Sequence, residues 1–227
     1  MSITHERIVP CRCGAEVVVT LVESLNAARH PHLRQQVIDR TLHMAACEAC
    51  GRTTMVAARL VYVDLQRRQL IGVYLPSDRP QARVCSEEVV RVYERYLRGG
   101  PAPIRALADD CLVRAVFGYE ELREKLVGDD AGLSDLAIEA TKYELLGDAR
   151  LQEKGAATLR LDEVADGLAR FHVEDVDGRP LQGRIDVPRA AIEALPGREA
   201  LLATYPGIAS GPHVSVLRLV WAGTPVF

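Results

Sequence analysis

Residues 9–21 read Val9-Pro10-Cys11-Arg12-Cys13-Gly14-Ala15-Glu16-Val17-Val18-Val19-Thr20-Leu21, and they determine how the N-terminal part folds. Two cysteines one residue apart precede a glycine, which can turn the chain at positive φ. The run behind that glycine is short and rich in valine, which is typical of a β-strand. The stretch therefore predicts a tight cysteine-bearing turn, here called a knuckle, that leads into a strand.

A second cysteine pair has the same arrangement further along the chain. Cys47-Glu48-Ala49-Cys50-Gly51 again ends on a glycine, and residues 53–63 behind it read as a strand. Thirty-three residues separate the two pairs. The spacing of the apolar residues behind Pro31 predicts a helix in the second half of residues 26–43.

The four paired cysteines have the chemistry of a structural zinc site. Zn²⁺ in such sites takes four thiolate or imidazole ligands in a tetrahedron, and two knuckles can supply them. In a cytosolic protein, paired cysteines indicate metal or redox chemistry more often than structural disulfides. The sequence therefore predicts a zinc site with four ligands, namely Cys11, Cys13, Cys47 and Cys50. Because four cysteines leave no open coordination position, the predicted site stabilises the fold and does not catalyse.

Other residues offer alternatives to this interpretation. His30, His32 and His43 lie between the two pairs, and a histidine could replace one cysteine as a ligand. The thiols could also form a redox switch, although no βαβ pattern of a thioredoxin-like fold accompanies them. Cys85 stands near a predicted helix N-terminus and Cys111 on an apolar stripe, and we expect both to be buried core thiols.

The first 80 residues form one predicted unit. A turn at residues 64–69 joins the strand of the second knuckle to a further strand at 70–75. Prolines within residues 76–80 then mark a domain boundary. We expect domain 1–80 to be a zinc-ribbon-like antiparallel sheet with an inserted helix.

Residues 81–227 are expected to form a second domain without metal. Helical periodicity covers residues 86–147, with Ser86 as an N-cap and a helix through residues 104–116. Alternating apolar residues then indicate a β-rich C-terminal part over residues 156–221. The predicted fold class is therefore α+β, with a helical middle between two sheet-forming parts.

Three strands and a short helix are predicted within the β-rich part. The strands cover residues 158–161, 168–176 and 181–187, and the helix follows Pro188. Residues 196–212 read as irregular. A last strand is expected from residue 213 to residue 221.

Composition excludes several classes of protein. The 227 residues are 48% hydrophobic and 26% charged, as in ordinary globular proteins, and unlike collagen-like, coiled-coil or disordered chains. No apolar run approaches the ~18–20 residues that span a bilayer. The first residues show no apolar segment of a secretory signal. We therefore expect a cytoplasmic protein without a membrane partner.

The distribution of charge disfavours nucleic-acid binding. Residues 1–80 contain ten arginines and no lysine against seven acidic residues, a net charge of +3, whereas residues 81–227 carry −6. Four thiolates and one Zn²⁺ ion would reduce the N-terminal charge to about +1. That charge is a poor match for phosphate. A nucleic-acid-binding zinc ribbon is kept as an alternative to a protein-interaction module.

The sequence shows no established catalytic pattern. A Ser-His-Asp order, a His-Glu-X-X-His motif and a glycine-rich phosphate loop are all missing. We predict no catalytic residue, and a non-enzymatic protein whose zinc site supports binding to a protein partner. A homo-oligomer is compatible with the sequence. The remaining alternative is an enzyme with an open metal site or a reactive Cys85.

Several short motifs occur together in one known family. They are Cys13-Gly14, Ser24-Leu25-Asn26, His30-Pro31-His32-Leu33-Arg34, Cys47-Glu48-Ala49-Cys50-Gly51 and Tyr62-Val63-Asp64. With them, residues 5–76 resemble the CpXC domain, a prokaryotic family defined by paired cysteines. Family members usually carry Cys-Pro-X-Cys twice, whereas here Cys11 stands in the place of one proline and Glu48 replaces the other. The resemblance implies metal binding and no established activity.

Overall fold

The computed structural model describes residues 2–153, 155, 158–175 and 178–218. The chain divides into two compact units, Met1–Leu122 and Arg123–Phe227. This division lies 42 residues beyond the boundary that the prolines of residues 76–80 predict. The physical reason is that elements beyond residue 80 complete the sheet of the first unit.

A mixed five-stranded sheet forms the first unit. Its strands are β1 (Ile3–Pro10), β2 (Glu16–Asn26), β5 (Leu60–Asp64), β6 (Gln69–Tyr74) and β7 (Leu112–Phe117), in the order β1-β2-β5-β6-β7. The pairs β1–β2 and β5–β6 are antiparallel, whereas β2–β5 and β6–β7 are parallel. The sheet is thus mixed where the sequence predicts an antiparallel one, because helices and the second knuckle intervene between the parallel neighbours.

A separate hairpin carries the second knuckle. It consists of β3 (Met44–Ala46) and β4 (Thr53–Met55), which pair antiparallel. The predicted strand over residues 53–63 is therefore two strands, β4 and β5, with residues 56–59 between them. Helix α1 (Pro31–Ile38) precedes the hairpin and confirms the predicted inserted helix, with its proline at the first position.

Helices follow β6 and pack on the sheet. A 3₁₀ turn (Pro76–Gln81) leads into α2 (Ala82–Tyr93), a π-helical turn (Glu94–Arg98) and α3 (Ala102–Ala108). Because the 3₁₀ turn runs directly into α2, the helix begins before Ser86, which is not its N-cap. Cys85 and Val89 of α2 are buried in one apolar cluster with Tyr74 and Phe117.

The predicted helix over residues 104–116 is wrong in its second half. Helix α3 ends at Ala108, and Leu112–Phe117 instead form strand β7, parallel to β6. Residues 114–117 are buried in succession. Apart from Arg114, the strand is apolar without alternation, as in strands covered on both faces, and helical spacing also fits such a run.

The second unit combines helices with a three-stranded antiparallel sheet. Helix α4 (Tyr119–Asp130) spans the division between the units. The remaining described elements are α5 (Asp135–Leu146), α6 (Ala149–Glu153), β8 (Thr158–Ala165), β9 (Leu168–Glu174), β10 (Pro180–Pro188), α7 (Arg189–Glu193), α8 (Arg198–Thr204), β11 (Ala209–Ser210) and β12 (His213–Val214). The sheet order is β10-β9-β8. Leu161 and Phe171 on its inner face join a core with Ile138 of α5.

Most elements of this unit follow the sequence pattern, but three short ones, α6, α8 and β11, are not predicted by it. The predicted irregular segment 196–212 contains helix α8, which buries Leu201. The predicted last strand is observed only as β12, and residues 219–221 lie outside the described residues. The α+β class is confirmed. No helix in the described ranges combines the length and hydropathy of a membrane span.

Candidate metal centre

The two cysteine pairs lie at the tips of two hairpins. The turn between β1 and β2 holds Cys11 and Cys13, and the turn between β3 and β4 holds Cys47 and Cys50. The first cysteine of each pair closes its own turn. The Cys11 N–H donates to the Ala15 carbonyl at 2.8 Å, and the Cys47 N–H donates to the Arg52 carbonyl at 2.9 Å. Each knuckle is therefore a turn that backbone hydrogen bonds close.

A glycine with positive φ completes each knuckle. The φ angles are +90° at Gly14 and +68° at Gly51. The Gly14 N–H donates to the Cys11 carbonyl at 2.9 Å, and the Gly51 N–H donates to the Cys47 carbonyl at 2.7 Å. A Cβ atom at either glycine would meet no atom within 4 Å. Glycine is thus required for its backbone conformation and not for space.

The four sulfur atoms converge on one point. All lie within 4.8 Å of one another. Two sulfur pairs cross between the hairpins, with 3.7 Å from Cys11 Sγ to Cys50 Sγ and 3.6 Å from Cys13 Sγ to Cys47 Sγ. A disulfide needs about 2.05 Å between sulfurs. Four sulfurs at about 2.3 Å from a tetrahedral Zn²⁺ ion lie about 3.8 Å apart, so the observed spacing fits a shared metal ion.

One cysteine of each knuckle faces the core and the other faces solvent. Cys11 and Cys47 are 6% and 1% exposed, whereas Cys13 and Cys50 are exposed. The buried pair packs with Val17, Val19 and Leu21 of β2. A metal ion at this position would therefore be shielded by apolar side chains on one side and lie near the surface on the other.

At Cys11 the backbone and the neighbouring thiols both lower the pKa, whereas at Cys13 they shift the pKa in opposite directions. A hydrogen bond from the Cys13 N–H is the main cause that lowers the pKa of Cys11 to about 7. The Ala15 N–H similarly favours the thiolate of Cys13. The other three cysteine side chains outweigh it and raise the pKa of Cys13 to about 11. Neighbouring thiols cannot all ionise in so small a volume unless a cation compensates their charge.

The histidines that the sequence offers as alternative ligands have other roles or positions. His43 Nε2 accepts a hydrogen bond from the Val22 N–H at 2.7 Å, and its Nδ1 lies 2.5 Å from Tyr119 Oη. The rings of His30 and His32 face each other, with centroids 5.8 Å apart. Within the described residues, the cluster that can hold a metal consists of the four cysteines alone.

The two unpaired cysteines are poor candidates for chemistry. Cys85 is buried, and burial is the main cause that raises the pKa of its thiol. Cys111 is partly buried in the loop between α3 and β7, and burial raises its pKa to about 11. Both thiols stay protonated at neutral pH, which makes them weak nucleophiles. The expectation of core thiols is confirmed for Cys85, and Cys111 is only partly covered.

The model of the CpXC protein family matches residues 9–142. The chain belongs to the CpXC family. No curated protein and no solved structure gives a significant match. The family match extends well beyond the segment 5–76 on which the sequence resemblance rests, and it includes both knuckles and strand β7.

One residue of this CpXC protein at the base of the second hairpin is not identifiable from the sequence. Tyr119 is 76 positions from His43 along the chain, yet its hydroxyl contacts the His43 ring. In the sequence, Tyr119 is one residue within the stretch 86–147 that is predicted to be helical, and it belongs to no motif. Only the addition of β7 to the sheet brings the start of α4 to this place.

Proposed function

We propose that this CpXC protein binds one Zn²⁺ ion through Cys11, Cys13, Cys47 and Cys50. The observation that supports this proposal is the distance between sulfur atoms of different hairpins, 3.7 Å for one pair and 3.6 Å for the other. Four sulfur ligands in a tetrahedron suit zinc, and they occupy all its positions. The ion would compensate the charge of thiolates that the backbone N–H groups of the first knuckle already favour.

The proposed role of the ion is to stabilise the fold. Strands β3 and β4 have three residues each, and a hairpin of this size has little stability of its own. A metal held by both hairpins would couple the second knuckle to β1 and β2. The free energy of binding then becomes free energy of folding.

Elemental analysis of the purified chain tests the site. We expect one zinc per chain, and loss of that zinc when Cys47 and Cys50 are both replaced by serine. The matched control is Cys111→Ser, which removes a thiol from the same unit away from the cluster and should retain the metal. Less than about one zinc per chain in the wild type, or iron in its place, would refute the proposal.

We further propose that the zinc module is non-enzymatic. Its four cysteines leave no position for a substrate on the metal, and the Cys85 and Cys111 thiols have raised pKa values. Mild alkylation of the native zinc-loaded chain, followed by peptide mapping, tests this. We expect slow modification at all six cysteines. Fast modification of Cys85 would favour a thiol-dependent enzyme instead.

A protein partner is the interaction that the surface of the hairpins supports. Ile8 and Val18 form a cross-strand pair and are 60% and 52% exposed. Met44 and Met55 form another such pair and are 40% and 54% exposed. Each hairpin thus presents an apolar pair to solvent, and such exposed apolar surface is typical of protein-binding sites.

Affinity capture with matched variants tests the partner proposal. A partner bound by the wild type should be lost from both Ile8→Glu and Met55→Glu chains. It should be retained by Val84→Glu, which places the same charge on an exposed apolar residue of α2. Equal recovery with all three variants would contradict binding through the hairpins.

The cytoplasm is the proposed location, since the six cysteines are unpaired in the structure. A reducing compartment keeps thiols available for metal, whereas an oxidising one would convert them to disulfides. Fractionation of cells that express the tagged chain tests the location. Recovery outside the cytoplasm would contradict it.

A further inference from the structure

The His43 ring joins the base of the second hairpin to β2. It is 3% exposed, and its Nε2 accepts a hydrogen bond of 2.7 Å from the Val22 N–H. Since Nε2 accepts, the proton of the neutral ring lies on Nδ1. Burial is the main cause that lowers the pKa of His43 to about 4, so the ring is neutral at physiological pH.

The Tyr119 hydroxyl completes the hydrogen bonding of that ring. His43 Nδ1–H donates to Tyr119 Oη, at a distance of 2.5 Å. The same oxygen accepts from the Ala58 N–H at 2.8 Å and donates to the Ala58 carbonyl at 2.8 Å. Burial is the main cause that raises the pKa of Tyr119 to about 12, so the hydroxyl keeps its proton. Each donor and acceptor in this group therefore has a partner.

These contacts hold the two segments that flank the β3–β4 hairpin. His43 immediately precedes β3, and Ala58 lies three residues beyond β4. The Val56 N–H donates to the His43 carbonyl at 3.0 Å and closes the base of the hairpin. The Tyr119 hydroxyl at the start of α4 thus contacts the segments on both sides of the hairpin base, while the knuckle lies at the opposite end of the hairpin.

A second contact ties the same two segments together. Arg40 Nε donates to both carboxylate oxygens of Glu120, at 3.0 Å each. Arg40 and His43 both have φ near +60°, at 59° and 60°. Residues other than glycine adopt this conformation only where surrounding contacts enforce it. The segment that enters the hairpin is therefore held in place from the α4 side.

We infer that His43 and Tyr119 are positioning residues for the metal centre. They form a latch, defined as His43, Tyr119 and the Ala58 backbone, that holds the β3–β4 hairpin where Cys47 and Cys50 face Cys11 and Cys13. This inference rests on the proposed zinc function for its consequence, and on the hydrogen bonds alone for its geometry. A ligand pair held in position loses less freedom when the metal binds, so it binds more tightly.

The test compares two tyrosine variants of the full chain as purified. Tyr119→Phe removes the hydroxyl of the latch and keeps the ring. Tyr74→Phe is the matched control, since it removes a buried hydroxyl of the same unit that donates to the Cys85 carbonyl at 2.8 Å. Amide hydrogen exchange over residues 43–58 measures the latch, and competition with a chromogenic chelator measures zinc affinity.

The expected result is faster exchange over residues 43–58 and about tenfold weaker zinc binding in Tyr119→Phe, the loss typical of a supporting residue. Tyr74→Phe should match the wild type in both measurements. Unchanged exchange in Tyr119→Phe, or an equal effect of Tyr74→Phe, would overturn the latch. A wild type that binds no zinc would refute the proposed function separately, and hydrogen exchange would still decide on the latch.

Discussion

At the residue scale, the backbone of the knuckles depends on two glycines that the sequence already identifies. Gly14 and Gly51 have positive φ, as expected from their place directly behind a cysteine. Side chains such as Tyr119 are different, because their role depends on which strands become neighbours. A local sequence pattern predicts the backbone conformation of a turn, but it does not predict a contact between residues 76 positions apart.

Replacing Gly51 by alanine should destabilise the chain by about 1–2 kcal/mol, the cost of a left-handed conformation for a residue with a Cβ. Its φ is +68° and the surrounding space is open, so strain alone is responsible. Urea unfolding measures the change. The control is Gly197→Ala, where φ is −62° and the space is equally open. The control should stay within about 0.5 kcal/mol of the wild type, and an equal loss in both variants would contradict this account.

His172 should make the stability of the chain depend on pH. Its Nδ1 lies 2.7 Å from Asp162 Oδ2 and its Nε2 lies 2.9 Å from Glu174 Oε1. The hydrogen bond to Glu174 is the main cause that raises the pKa of His172. Two cationic residues are paired with His172 on the neighbouring strands, Arg160 on β8 and Arg184 on β10. Two carboxylates therefore favour the imidazolium form.

The sign of the effect follows from the raised pKa. The stabilisation is complete below the unfolded pKa of about 6.5 and is lost as pH rises through the higher folded value. Unfolding free energies from pH 6 to pH 9 should therefore fall with pH in the wild type and fall less in His172→Gln. The exposed His32→Gln is the control and should follow the wild type. Identical pH curves for all three chains would refute the prediction.

At the element scale, the hairpins and most helices follow from local patterns, whereas β7 does not. The apolar residues within 112–117 are compatible with one face of a helix and also with a strand that is buried on both faces. Only the pairing with β6 decides between helix and strand. Helix α8 escapes prediction for a different reason, which is its short length. Its seven residues are too few to show a clear period. Short or fully buried elements are thus the ones that sequence patterns identify least well.

A buried ion cluster connects the elements of the second unit. Lys142 Nζ of α5 donates to Glu124 Oε2 of α4 at 2.7 Å and to Glu139 Oε1 at 2.9 Å. Glu124 also accepts from the Leu161 N–H of β8, and Glu139 accepts from the Val216 N–H. All three residues are 1% exposed. Two further buried cations pair with the carboxylates, namely Arg160 with Glu124 and Lys125 with Glu139. Lys142 is the cation that both carboxylates share.

Lys142→Met should destabilise the chain by about 3 kcal/mol, the low end for breaking a buried ion pair, because each carboxylate keeps one other cation, at 3.3 Å or 3.4 Å. Thermal or urea unfolding measures the loss. The control is Arg189→Met, which breaks an ion pair with Glu193 between side chains that are 43% and 47% exposed. It should cost about 0.5 kcal/mol or less. Similar losses in the two variants would show that burial of the cluster has no energetic consequence.

At the scale of the whole molecule, the division into units depends on which elements complete each sheet. The prolines at 76–80 mark a change of local structure, but β6 has all six residues buried and pairs with β7. A chain cut at residue 80 would expose that strand. The prolines therefore mark the end of the knuckle region and not the end of the compact unit.

Two fragments distinguish these boundaries. Residues 1–80 alone should lack cooperative unfolding, because they lose β7 and helix α2, whereas residues 1–134 retain the complete sheet and all of α4. Circular dichroism during heating measures the difference. Cooperative unfolding of fragment 1–80 would support the boundary predicted from the prolines and contradict the role assigned to β7.

In the proposed metal centre, four cysteines from two hairpins hold one zinc ion. X-ray absorption at the zinc edge of the purified full chain tests it most directly, since it reports the type, number and distance of the ligands. The structure predicts four sulfur ligands at about 2.3 Å, from Cys11, Cys13, Cys47 and Cys50. A shell that contains nitrogen or oxygen in place of any sulfur would contradict the account.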